Sequence, residues 1–178
     1  MKSTIPIITQ TTAQYTMDKA ERVGYFDYTH PADHKEALEL TEQLLTDYSN
    51  MAQYVEDEKQ YIINVLDGDE KRANYLIQNA MIITEDPFFR DRVYRYIRTR
   101  AITSRIENAL AGIRLEKGYY IIEARYFSND YYGETPTWQT IAEDLAGQYG
   151  FSEKLNEKTV RTQKNKMLDK LAIALFNL

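Results

Sequence analysis

From residue 31 onward, apolar side chains return in steps of three, four or seven. They fall at Ala37, Leu40, Leu44, Tyr48, Met51, Val55, Ile62 and Leu66, up to Asp67-Gly68. That spacing lays one continuous stripe along an α-helix. Pro31 suits the first turn, where its missing N–H is not needed. The pattern predicts either one long helix or two with a break near Ser49-Asn50. Glu and Asp are frequent around the rest of the circumference. The stripe is therefore expected to face the core, with a homodimer seam through the N-terminal helices as the alternative.

The same reading continues along the chain. Asp69 suits the N-cap of a second helix that carries Ala73, Leu76, Ile77, Ala80 and Met81 on one side. Asp86-Pro87 opens a third, with Asp at the N-cap and Pro at the first helical position. This helix is expected from Phe88 to about Ala111, ending at Gly112. Tyr119 to Phe127 predicts a short fourth helix with Tyr119, Ile122 and Tyr126 on one face. Thr137 caps a fifth, in which Trp138, Ile141, Ala142, Leu145 and Ala146 follow i, i+3, i+4, i+7, i+8. The last helix starts near Asn156, a second capping side chain, and Val160, Met167, Leu168, Leu171 and Leu175 form its apolar stripe. Residues 1–30 show no period and read as an arm. The expected class is all-α: an arm (1–30), a helical domain (31–112) and a trihelical helix-turn-helix domain (113–178).

Composition agrees with long helices. The 178 residues include only 7 Gly and 4 Pro, few turn formers for this length. There is no Cys, which excludes a disulfide framework and thiolate metal sites and fits a cytoplasmic protein. No apolar run approaches the roughly 18–20 residues of a membrane span, and the first residues lack the pattern of a signal peptide. The 15 Tyr suit core and boundary positions, where a ring packs and a hydroxyl stays polar, with a nucleic-acid stacking surface around Tyr94 and Tyr96, where basic residues are interleaved, as the alternative.

Charge divides the chain. The formal net charge is -5, yet residues 1–90 hold 8 Lys and Arg against 16 Asp and Glu, and residues 91–178 hold 14 against 11. A polyanionic partner is expected to meet the second half. Two basic stretches stand there. One is RDRVYRYIRTRAITSR, with six Arg between Arg90 and Arg105 and one Asp. Arg92, Arg95 and Arg98 are helical neighbours in it, expected either to pair with the acidic front half or to touch phosphate. The other is the start of the last helix, where Lys158, Arg161, Lys164 and Lys166 precede an apolar end. Polar and basic first turns followed by an anchored tail is the layout of a helix that enters a DNA major groove.

No enzyme is expected. The two histidines, His30 and His34, stand at i, i+4 beside Asp33 and read as a solvated helix start. No phosphate-binding Gly loop and no nucleophile motif occurs. No cofactor, metal ligand or catalytic residue is assigned.

The C-terminal segments resemble region 4 of sigma factors. The likeness runs through IIEARYF, TWQTIAEDL and TVRTQKNKMLDKL, with Val160, Arg161, Leu168, Lys170 and Leu171 at matching places. The ending KLAIALF, with IIEARYF upstream, is closer still to the ArpU/RinA-type phage late-gene transcriptional regulators. The resemblance covers roughly residues 113–178. It departs from the sigma pattern in a longer connection from Gly147 to Asn156, in Glu157-Lys158 before the Val, and in Thr162 after the Arg. It implies a sequence-specific DNA-binding regulator, an activator of phage late genes in the cytoplasm of a bacterial host, with double-stranded DNA and host RNA polymerase as partners. Arg161 and Thr162 would read bases and Lys158, Lys164 and Lys166 would neutralise phosphates. Thr159 and Asn165 on the same helix, and Thr137 and Gln139 at the start of the preceding one, complete the expected interface. A DNA-packaging adaptor of the small-terminase type and a helical protein-interaction module are the alternatives.

Overall fold

A computed structural model of the chain describes residues 31–79, 86–128, 135–146 and 155–178. The arm, His30, Ala80, Met81, and the connections 129–134 and 147–154 lie outside them. Among the described residues every regular element is a helix: α1 (His34–Val65), α2 (Glu70–Asn79), α3 (Pro87–Ile113), α4 (Tyr119–Tyr126), α5 (Trp138–Leu145) and α6 (Glu157–Phe176). None is long and apolar enough to cross a membrane.

Local chemistry sets the helix starts. Asp69 Oδ1 accepts from Arg72 N at 2.9 Å, and Asp86 Oδ1 accepts from Phe88 N and Phe89 N at 2.9 and 3.3 Å. Thr137 Oγ1 accepts from Thr140 N and Asn156 Oδ1 from Thr159 N. Each bond satisfies an N–H that the first turn cannot pair internally. The first helix begins later than Pro31 suggests. Asp33 is its cap, accepting from Glu36 N at 2.8 Å, while the Glu36 carboxylate accepts from Ala32 N. α1 is unbroken at Ser49-Asn50. α3 runs through Gly112 to Ile113, since Ile113 is buried and its packing holds the last turn. α4 ends at Tyr126, one residue short of Phe127.

The chain forms two compact units, neither of them consecutive in sequence. The division falls inside α1, between Ser49 and Asn50, and inside α3, between Ser104 and Arg105. It therefore cuts through the 31–112 segment.

In the first unit the second half of α1, α2 and the first part of α3 enclose Ile62, Ala73, Phe89, Val93 and Tyr96. The α1–α2 turn is left-handed at Asp67 (φ 56°) and Gly68 (φ 80°), a conformation that glycine adopts without the Cβ clash of other residues. Gly68 N donates back to Ile63 O at 3.0 Å and closes the end of α1. Inside this unit Glu58 is almost fully buried at 2% exposure. Arg92 reaches it with two donors, Nε at 2.9 Å from Oε2 and Nη2 against Oε1, and the guanidinium stacks 3.5 Å over the Tyr61 ring.

In the second unit the first half of α1 and the end of α3 belong with α4, α5 and α6. The last three pack against one another. Ile121, Ile141, Ala142, Leu145 and Val160 form their shared core. Further along α6, Met167, Leu168, Leu171, Ala172, Leu175 and Phe176 are buried. Ala146 is exposed instead of buried, because the backbone has already turned extended there (φ −62°, ψ 121°). Gly118 at the start of α4 lies so close to α6 that a Cβ on it would stand 2.7 Å from Met167 Cγ. The absence of a side chain is what lets the two helices approach.

The apolar stripe of α1 is used within the chain. Ala37, Leu44, Met51 and Ile62 are all buried, between 0 and 1% exposed.

Candidate nucleic-acid interface

The first turns of α6 present a polar band. Lys158, Arg161, Thr162, Asn165 and Lys166 lie on it, and none of them is buried. At 100° per residue they fall within one arc of the helix, opposite Val160, Met167 and Leu171. Asn156, Glu157, Lys158, Arg161, Thr162 and Asn165 line an open recess on this face. Thr162 Oγ1 is bonded to Lys158 O at 2.9 Å. Thr159 is half-buried and serves the cap, its hydroxyl donating to Asn156 Oδ1 at 3.0 Å.

Arg161 is engaged by an acid on its own helix. Its Nε donates to Glu157 Oε1 at 2.8 Å and its Nη2 to the same oxygen at 2.5 Å. The pair is exposed, with 57% and 49% of the side chains accessible, so water screens it and little energy holds it. A phosphate or a guanine edge could displace Glu157 at small cost.

Trp138 links this face to α5. Its indole has the Arg125 guanidinium 4.6 Å from the ring centroid, Arg161 at 5.7 Å and the Lys164 ammonium at 5.3 Å. Arg125 also donates to Pro136 O at 2.6 Å, which ties the approach to α5. Thr137 and Gln139 flank Trp138 in sequence. Gln139 is turned along its own helix and donates to Glu143 at 2.9 Å, while Thr137 is the cap, its hydroxyl 2.8 Å from that of Thr140.

Lys164 stands apart from the other expected cations. Its side chain is only 13% exposed and donates to Glu42 Oε1 of α1 at 3.0 Å. Tyr126 of α4 donates to the same oxygen at 2.6 Å. Three helices of the second unit thus meet on one carboxylate. Lys35, Leu38, Glu39 and Glu42 of α1 face Lys166 and Asp169 of α6 across a cleft of about 510 Å³, and His34 pairs with Asp169 at 2.7 Å. The structure therefore gives Lys164 a partner inside the unit and leaves Lys158 and Lys166 turned to solvent. Sequence reasoning does not single out Glu42. The available signal is its place beside the apolar stripe, four residues after Leu38 and three before Leu45.

Burial by itself would raise the Glu42 carboxyl, but the Tyr126 hydrogen bond, the Lys164 hydrogen bond and charge and the field of Arg125 together outweigh it and hold the group below its ordinary value. Tyr126 is pushed the other way, by burial first and then by its bond to the Glu42 carboxylate and that group's charge, so the phenol remains a donor. A carboxyl held low adds stability above its unfolded pKa, and that share is lost as pH falls through the folded value. Glu42→Gln should therefore show a flatter loss of stability than the wild type as pH falls through and below the ordinary carboxyl value of 4.5. Urea midpoints taken at several pH values test this, and identical acid limbs would mean that Glu42 is not held low.

No protein-family model, curated protein or solved structure matches the chain. Among the described residues no group of three or more His, Asp or Glu side chains is placed to hold a metal ion.

Proposed function

We propose that the chain is a sequence-specific DNA-binding transcription regulator of phage or prophage origin, an activator of late genes, that reads the major groove with α6. One observation carries this reading: the solvent-facing polar band of Lys158, Arg161, Thr162, Asn165 and Lys166 occupies the early turns of a helix whose later turns are buried as an anchor. A helix so divided can project into a groove without losing its own support. Arg161 would exchange Glu157 for a base edge, and Lys158 and Lys166 would neutralise phosphates. The start of α5, with Thr137 and Gln139, would approach the backbone, where unpaired N–H groups favour an anion. The likeness to sigma region 4 and to the late-gene regulators agrees with this assignment. The proposed setting is the cytoplasm of a bacterial host, with host RNA polymerase as a further partner and the N-terminal helices as its contact or as a homodimer contact.

The test is a footprint on late-promoter DNA followed by equilibrium binding over a salt series. Arg161→Ala should relax specificity and cost about 1–3 kcal/mol of binding to the specific site. Lys166→Ala should weaken binding to every sequence alike and reduce the salt slope by about 1. Wild-type binding by both variants would refute the groove assignment.

A further inference from the structure

Trp138 is the chain's single tryptophan. It is half-buried and packs against the core of Ile121, Ile141, Ala142, Leu145 and Val160, to which α4, α5 and α6 all contribute. That packing fixes the indole to the rigid part of the second unit. Three cations surround the same ring. Arg125 of α4 comes to 4.6 Å from the ring centroid, and Lys164 and Arg161 of α6 come to 5.3 and 5.7 Å. All lie within the distance of about 6 Å at which an aromatic face attracts a cation. Arg161 and Lys164 can share the ring because they are i, i+3 neighbours on α6.

The three cations are held unequally. Arg125 is tied by its bond to Pro136 O at 2.6 Å. Lys164 is tied to Glu42 at 3.0 Å, with 13% of its side chain exposed. Arg161 keeps 57% of its side chain in solvent, and Glu157, which accepts its hydrogen bonds, is itself 49% exposed. An exposed pair of this kind gives way readily to water or to another acceptor. The indole is anchored in the core and stays where it is. It is the fixed wall beside a guanidinium whose ionic partner is replaceable.

We propose that Trp138 is a positioning residue for base reading: its indole keeps the Arg161 guanidinium ordered while Glu157 is exchanged for a base edge. This role rests on the α6 reading of DNA and adds a residue that the reading leaves out. An arginine that moves freely before binding loses rotamer entropy when it is fixed at a base, and one already held by a ring loses less. Trp offers the strongest such face among the aromatic side chains. The planar guanidinium can keep a face towards the indole while its edge donors form the bidentate bonds that guanine O6 and N7 accept.

The test uses the full-length chain and a specificity ratio, the affinity for the footprinted site over that for a random-sequence duplex of the same length. Both are measured by fluorescence anisotropy at one salt concentration. Trp138→Leu should lower the ratio roughly two- to fivefold, the change that an exposed cation–π contact supplies. Trp138→Phe keeps an aromatic face and should lose less. In the Arg161→Ala background both substitutions should leave the ratio where Arg161→Ala alone puts it, because the ring then has no reader to position. Circular dichroism melts set a working temperature well below each midpoint, so that lost packing is not taken for lost specificity. Should Trp138→Leu fail to fold, the Trp138→Phe cycle gives the same decision. The two possible failures are distinct. Absence of a footprint, or an Arg161→Ala protein with wild-type site preference, overturns the α6 reading and the positioning role together. If Arg161→Ala relaxes the preference while the Trp138 variants keep the wild-type ratio, or lower it equally with and without Arg161, the positioning role alone is overturned.

Discussion

Glu58→Ala is expected to lower the unfolding free energy by about 3–5 kcal/mol. Glu58 is 2% exposed and Arg92 has 11% of its side chain accessible, so the pair has been taken almost wholly out of water. Removal of the carboxylate leaves a guanidinium with no counter-charge in a low-dielectric site. The stacking of that guanidinium 3.5 Å over Tyr61 also loses its fixed orientation. The destabilisation comes from stranding a buried charge, more than from the net value of the pair. Glu58→Met/Arg92→Met should therefore be less destabilised than the sum of the two single variants. Urea unfolding followed by circular dichroism gives both numbers. A Glu58→Ala protein within about 1 kcal/mol of wild type, the usual range of a surface pair, would show that the ion pair is hydrated after all.

Leu171→Ala should cost about 2–5 kcal/mol. Leu171 is 0% exposed on α6, with Leu168, Ala172 and Leu175 buried beside it. Truncation removes the transfer energy of the missing carbons and leaves a cavity that rigid neighbours fill only in part. The effect should be visible in the single tryptophan, Trp138, which lies in the same unit. Its fluorescence transition should move to lower urea. Under the α6 reading, DNA affinity at temperatures near the midpoint should fall with the folded fraction while the salt slope stays that of the wild type. A changed slope would mean that the substitution acts on the interface and not through the anchor.

The two positions differ in how far the sequence discloses them. Leu171 lies on an apolar stripe with Val160, Met167, Leu168 and Leu175, and a period of about 3.6 is enough to place it inside. Glu58 gives no such sign. It stands in the acid-rich run Glu56-Asp57-Glu58, which reads as a solvated face, and its neighbours at 56 and 57 are indeed exposed. Arg92 shows the same limit from the other side. It belongs to a run of arginines that look alike in sequence, yet it turns inward while Arg98 turns outward.

The candidate interface divides similarly. The early turns of α6 are legible, because capping by Asn156 and the switch from basic to apolar residues are properties of one short stretch. The role of Lys164 is not. Its partner Glu42 is 122 positions away, and the Tyr126 that shares this carboxylate is 84 positions from it. Helical spacing sets Lys164 apart from Lys158 and Lys166, four residues after Val160 and three before Met167 on the apolar side of α6, but it does not say which carboxylate meets it there.

By itself the sequence determined the helical class, most helix starts and the buried stripes. Caps act within three residues and amphipathic spacing within two or three turns, so both are carried by neighbours in the chain. The tertiary structure decided where the compact units divide, that α1 lends its first half to the C-terminal helices, and which cations face solvent. A charge is turned inward or outward by the partner that a distant segment brings to it, and helical period records the angle of a side chain without naming what waits there.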